Sequence, residues 1–252
     1  MKENFIKDSR LVVFTSVKGG CGLSFITNCV ASYLAKTKNK NILLLDSNIG
    51  KKDSRIIFEI NENVIRDIGD IKENANDVDL TLLKKIVVNF ENSLNLILPS
   101  LKFEKNVFEY YKNLSAFIEL LLNTFDLVII DLPQYYFFSE SKFDFESVDK
   151  IVVVSGADNI CINNLEVLLS NFFIEENEYK IDIIINKFNF RPFTLGPRLI
   201  NSISLPVKAF IPYDKDIDYL YNLKGPFYLF NYCLRTIKAI SSYSDSLYEE
   251  LF

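Results

Sequence analysis

Seven short apolar runs recur along the chain: RLVVFTS (10–16), NILLLD (41–46), LNLILPS (94–100), FDLVIID (125–131), KIVVVSG (150–156), KIDIIINK (180–187) and VKAFIPY (207–213). Most lack the polar alternation of a half-exposed strand, so they read as strands buried on both faces. Between them lie longer segments with helical apolar spacing, over 24–36, 107–124, 163–173 and 230–251. Parallel strands need crossover connections, commonly helices. The alternation therefore predicts an α/β fold with a mostly parallel central sheet and helices on both faces.

At 252 residues and 49% hydrophobic, the chain supplies a sizeable core, and one domain over 1–252 is expected. The polar stretch 61–79 is too short for an interdomain linker and reads as a loop with a small helix; 139–148 reads as another loop. The net charge of −5, without a long basic run, disfavours a broad nucleic-acid footprint. No apolar run reaches membrane-spanning length and the first ten residues lack a signal-peptide pattern, so a cytoplasmic protein is expected. Histidine is absent, which excludes a Ser-His-Asp hydrolase. Cys21, Cys29, Cys161 and Cys233 form no CxxC pair, and zinc and iron–sulfur spacings are missing.

The chemistry concentrates in KGGCGLS (18–24), which follows the first strand and opens a helix. Gly19, Gly20 and Gly22 let successive backbone amides approach an anion, with Cys21 between them. Ser24 stands where a phosphate loop places its Mg²⁺ ligand, but Leu23 occupies the position of the usual lysine. Alone, this pattern is also open to the lesser reading of a tight strand-to-helix turn, and Lys18 to that of a solvated lysine. Asp46 and Asp131 each end an apolar run, which brings two carboxylates to the C-terminal edge of the sheet, where ligands bind in such folds. Either one alone is also open to reading as a helix cap or turn former.

Taken together, these stretches resemble the deviant-Walker P-loop NTPase family of MinD and ParA, and within it the CpaE/TadZ branch associated with Tad/Flp pilus assembly. KGGCGLS is similar to the family's KGGxGKS/T loop, DSNIGKKD (46–53) to its switch segment and FDLVIIDLP (125–133) to its Walker B strand. INKFN (185–189) is similar to its base-contacting segment, and LPVKAFIPYDKDI (205–217) to its late I-P-x-D segment. The stretch 78–100 resembles the branch's middle region, and the receiver-like domain common in that branch is not expected. The resemblance implies ATP or ADP with Mg²⁺ as cofactors. By it, Lys18 reaches phosphates, also across a homodimer interface, Ser24 ligates Mg²⁺, and Asp46 and Asp131 hold the metal through water. It also implies that Asn186 contacts adenine and that the Pro212 loop covers the base; alone, Asn186 reads as a strand-end turn residue.

Three departures bear on chemistry. Leu23 removes a positive charge from the phosphates. Asn48 replaces an acidic residue and accepts no proton at neutral pH. Phe25 replaces a small hydroxyl residue near the α-phosphate, its bulk either narrowing the pocket or turning into the core. Slow or absent hydrolysis is expected, in a homodimeric scaffold that localises or assembles a pilus or secretion machine and is recruited to the membrane or cell pole through partners. The rival expectation is an active MinD/ParA-type ATPase that positions DNA, flagella or septa. The C-terminal helix lacks a basic face and is expected to pack on the domain rather than anchor to a membrane. The aromatic stretches 134–140 and 188–193 are candidate partner surfaces.

Overall fold

A computed structural model describes residues 8–60, 67, 80–101, 117–134, 147–172, 179–189 and 203–252. The elements, in chain order, are β1 (Arg10–Ser16), α1 (Leu23–Thr37), β2 (Ile42–Asp46), α2 (Asp53–Ile57), α3 (Leu80–Ile86), β3 (Val87–Asn89) and β4 (Leu94–Ile97). Helical residues 117–124, here α4, lead into β5 (Leu127–Asp131). Then follow β6 (Lys150–Gly156), α5 (Asn159–Phe172), β7 (Ile181–Phe188), β8 (Val207–Pro212), α6 (Ile217–Tyr228) and α7 (Arg235–Leu251).

The eight strands form one sheet in the order β3-β4-β2-β5-β1-β6-β7-β8. All pairings are parallel except β3 with β4. Every residue of β2, β5 and β6 is buried, as is β1 from Leu11 onward. Both faces of the central sheet are therefore covered, which explains the unbroken apolar runs. Each Leu or Ile so enclosed contributes about 1.5–3 kcal/mol relative to exposure in water. The seven apolar runs all form strands within a few residues of their expected limits. The short antiparallel edge strand β3 was not expected; of its three residues Val87 and Val88 are partly buried and Asn89 is exposed, too little pattern to stand out from the preceding helix.

Helix α7 docks on the domain. Its face of Ile237, Ile240, Tyr243, Leu247 and Leu251 is buried, and Tyr243 donates a hydrogen bond to Asp182 of β7 at 3.0 Å. Glu250 pairs with Lys150 at 2.6 Å, and Asp245 with Lys38 at 2.7 Å. The single helix read over 230–251 is in fact interrupted: a 3₁₀ turn at Leu229–Asn231 and an extended Tyr232 precede α7. Among the described residues, no helix is long and apolar enough to cross a membrane. The loop expected at 139–148, nearly all of 61–79 and both aromatic stretches lie wholly or largely outside the described residues.

Candidate functional site

Because β1 lies at the middle of the sheet, the loop leaving its C-terminal end sits between two different neighbourhoods. On one side β5 and β2 deliver Asp131 and Asp46; on the other β6, β7 and β8 deliver Gly156, Asn186 and Pro212. Strand order thus brings the expected residues to one edge.

The loop itself is shaped as an anion cradle. Gly20 and Gly22 take φ of 83° and 88°, the left-handed region that side chains disfavour. Among the described residues, a Cβ built on Gly19 or Gly20 would meet nothing within 4 Å, so they leave the space before the loop open. Helix α1 starts at Leu23 with no side-chain cap and no acidic residue in its first turn, leaving its N-terminal amides for an anion.

A latch from β7 sets the loop's direction. Asn186 Nδ2 donates to the Cys21 carbonyl at 2.8 Å, and Lys187 Nζ donates to the Gly20 carbonyl at 3.1 Å. Each trans peptide points its N–H opposite to its C=O, so drawing these carbonyls toward β7 turns the amides of Cys21 and Gly22 the other way. The Asn186 Oδ1 accepts from the Lys187 N–H at 2.8 Å, so both ends of this amide are engaged inside the protein. A Cβ on Gly22 would stand 2.3 Å from Asn186 Nδ2, so the close approach requires glycine.

Asp46 and Asp131 are register partners on β2 and β5, both buried. Asp46 Oδ1 accepts from the Asn48 backbone N–H at 2.9 Å and from Asn48 Nδ2 at 2.8 Å, while Ser54 Oγ donates to its Oδ2. Burial still pushes the Asp46 carboxyl above the usual range, against those donors. Asp131 differs: among the described residues, no donor reaches hydrogen-bonding geometry on either of its fully buried oxygens. Burial first, then the Asp46 charge, push its carboxyl up to about 7, although Ser24, Asn48 and Lys51 pull in the opposite direction. Two adjacent carboxylates, Asp46 held by its donors and Asp131 with uncommitted oxygens, beside a serine hydroxyl form an all-oxygen donor set of the kind that suits Mg²⁺.

The remaining expected residues divide by orientation. Lys18 is half-buried and lines a cavity of about 390 Å³ together with Gly20, Cys21, Asp158, Cys161 and Lys187. Leu23 packs against the core. Phe25, left between two orientations by sequence, stacks edge-on against Tyr221 of α6 with ring centroids 5.0 Å apart. The Pro212 carbonyl accepts from Thr236 Oγ1 at 2.6 Å, tying the end of β8 to α7. Sequence reasoning missed Ser54, Lys187, Asp158 and Cys161. Only Lys187, next to Asn186, carried a signal; the others come from short segments joined by the fold.

The comparisons with known proteins agree with this fold. Septum site-determining protein MinD of Thermotoga maritima is 27% identical over 218 residues, covering 82% of this chain and 76% of that protein. A ParA family ATPase from Chlorobium tepidum superposes with a TM-score of 0.78 at 22% identity, over 95% of this chain and 98% of that one. The fold is that of the MinD/ParA P-loop proteins. A MinD from Pyrococcus horikoshii complexed with Mg-ADP shares the MinD/ParA fold at a TM-score of 0.72 and 16% identity, over 95% of this chain and 96% of that one. No known family profile matches the chain. The similarity supports the MinD/ParA superfamily and does not extend to the CpaE/TadZ branch.

Proposed function

We propose that this protein binds ATP or ADP with Mg²⁺ at the loop 18–24 and hydrolyses it slowly or not at all, working as a homodimeric scaffold of the CpaE/TadZ kind for a pilus or secretion machine. The observation that carries the nucleotide site is the buried pair Asp46 and Asp131 beside Ser24, with no donor among the described residues in hydrogen-bonding geometry on either Asp131 oxygen. In a folded protein such groups are costly unless a cation joins them.

Mg²⁺, when bound, supplies positive charge against the β- and γ-phosphates. Ser24 and Asp131 would hold it, with Asp46 kept in place by Asn48 and Ser54. Lys18 and the amides of Gly19 to Ser24 would bind the phosphates. Asn186 would orient the loop through Cys21, with its second amide proton and second oxygen lone pair left for the adenine contact that the resemblance implies.

Weak hydrolysis follows from two side chains. Leu23 sends an apolar group into the core where a cation would neutralise phosphate charge. The Asn48 amide is committed to donating to Asp46 and offers no base for an attacking water. Support for the scaffold role is the Leu23 substitution together with the branch-like stretch 78–100.

A second reading, an active ATPase for spatial positioning, is favoured by the similarity to MinD across 82% of the chain. Calorimetric titration with Mg-ATP and Mg-ADP, followed by steady-state hydrolysis, separates the readings. Micromolar binding lost in Lys18→Ala with negligible turnover supports the first. Turnover stimulated by dimerisation supports the second, and no binding at millimolar nucleotide overturns both.

A further inference from the structure

We infer that Cys21 and Cys161 form an oxidative modification site at which a hydroperoxide makes an intramolecular disulfide that closes the Lys18 cavity. This rests on the reading that Lys18 serves nucleotide phosphates.

The two sulfurs, 140 residues apart in sequence, lie 3.7 Å from one another. A disulfide spans about 2.05 Å, so roughly 1.6 Å of closure is needed. The place is built for the thiols: a Cβ on Gly156 would stand 2.8 Å from Cys161 Sγ, so the glycine ending β6 leaves room for it. The other two cysteines are unlike this pair, since Cys29 is buried within α1 and Cys233 is exposed.

Both thiols are largely shielded, at 3% and 1% exposure, yet both line the 390 Å³ cavity with Lys18 and Gly20. That cavity gives passage to a small hydroperoxide. Cys161 is the resolving partner: burial, and then the hydrogen bond from its thiol to Asp158 Oδ2 at 3.0 Å, push it up to about 12. Cys21 sulfur attacks a peroxide oxygen, the O–O bond breaks, and an alcohol leaves as Cys21 becomes a sulfenic acid. Cys161 sulfur then attacks Cys21 sulfur, and the Cys161 proton leaves with the hydroxyl as water. Two thiols are thereby oxidised by two electrons, and the hydroperoxide is reduced to alcohol and water.

The consequence reaches Lys18 through Asp158. Asp158 is held below the usual carboxylate range chiefly by the Cys161 thiol, and also by the charge of Lys18. Oxidation removes the thiol donor, leaving Lys18 to take the vacated Asp158 oxygen, and the bond ties the phosphate loop to α5. Lys18 is then withdrawn from phosphate.

The test uses the full chain carrying C233S, treated with hydrogen peroxide. Non-reducing peptide mapping is expected to show a Cys21–Cys161 linkage that is absent in C21S and C161S. The oxidised protein is expected to bind a fluorescent ATP analogue with Mg²⁺ at least tenfold more weakly, recovering with dithiothreitol, and C161S is expected to be insensitive. Amide exchange across 17–24 without nucleotide is expected to slow on oxidation. Absence of the linkage, or a linkage that leaves both affinity and exchange unchanged, overturns the inference. Slowed exchange in a protein that binds no nucleotide even when reduced supports the modification site and overturns the nucleotide reading.

Discussion

Asp131 shares a register position with Asp46 at the ends of adjacent strands, yet the two carboxylates are treated oppositely: Asp46 is held by Asn48 and Ser54, whereas among the described residues nothing reaches hydrogen-bonding geometry on Asp131. The asymmetry is what a cation site needs, one oriented carboxylate and one left free to bind.

Replacing Asp131 with asparagine removes a buried like charge. Thermal unfolding of D131N without Mg²⁺ is expected to show a gain of about 1–2 kcal/mol over the wild type, as is common when a functional site is relieved. Mg²⁺-nucleotide stabilisation should vanish in the same variant. A loss of stability in the metal-free protein would contradict the reading.

Gly22→Ala sets a methyl group 2.3 Å from Asn186 Nδ2 at a φ of 88°. Strain at such a position costs on the order of 1–3 kcal/mol. The loop should release its latch, with nucleotide affinity falling at least tenfold by titration. N186A in the same chain relieves the clash but also removes the latch donor to Cys21 and leaves the backbone strain, so G22A/N186A should remain impaired.

Leu23→Lys returns a cation to the first turn of α1. Mg-ATP affinity is expected to rise about tenfold, corresponding to about 1.4 kcal/mol, while turnover stays near background. Adding N48D exchanges a donor on Asp46 for a carboxylate; only the double variant is expected to gain measurable hydrolysis in a phosphate-release assay.

The docking of α7 should depend on acid. Glu250 is held below the usual carboxylate range by Lys150 and then Lys208; Asp245, despite a burial effect in the other direction, is held low by Lys38 and Tyr33. A carboxyl whose folded pKa is depressed contributes stability above its unfolded pKa, and that contribution is lost as pH falls through the folded value. Melting temperature should therefore decline below about pH 4.5, the ordinary glutamate range. In E250Q/D245N this acid limb should flatten, and salt should weaken it in the wild type because both carboxylates are partly exposed.

The seven apolar runs determined the sheet, because strands buried on both faces must be apolar at every position, and KGGCGLS determined a loop at the end of the first, because glycines after a strand permit the left-handed turns seen at Gly20 and Gly22. Local residue pattern was enough for both. Tertiary structure alone decided which side chains serve that loop. Strand order put Asp46 beside Asp131 across 85 residues of sequence, set Asn186 and Lys187 on the carbonyls of Cys21 and Gly20, and brought Cys161 against Cys21. Those partnerships arise from crossovers that carry distant segments to one edge of the sheet; two apolar runs ending in aspartate brought Asp46 and Asp131 to that edge, but the spacing along the chain holds no trace of which side chain bonds which.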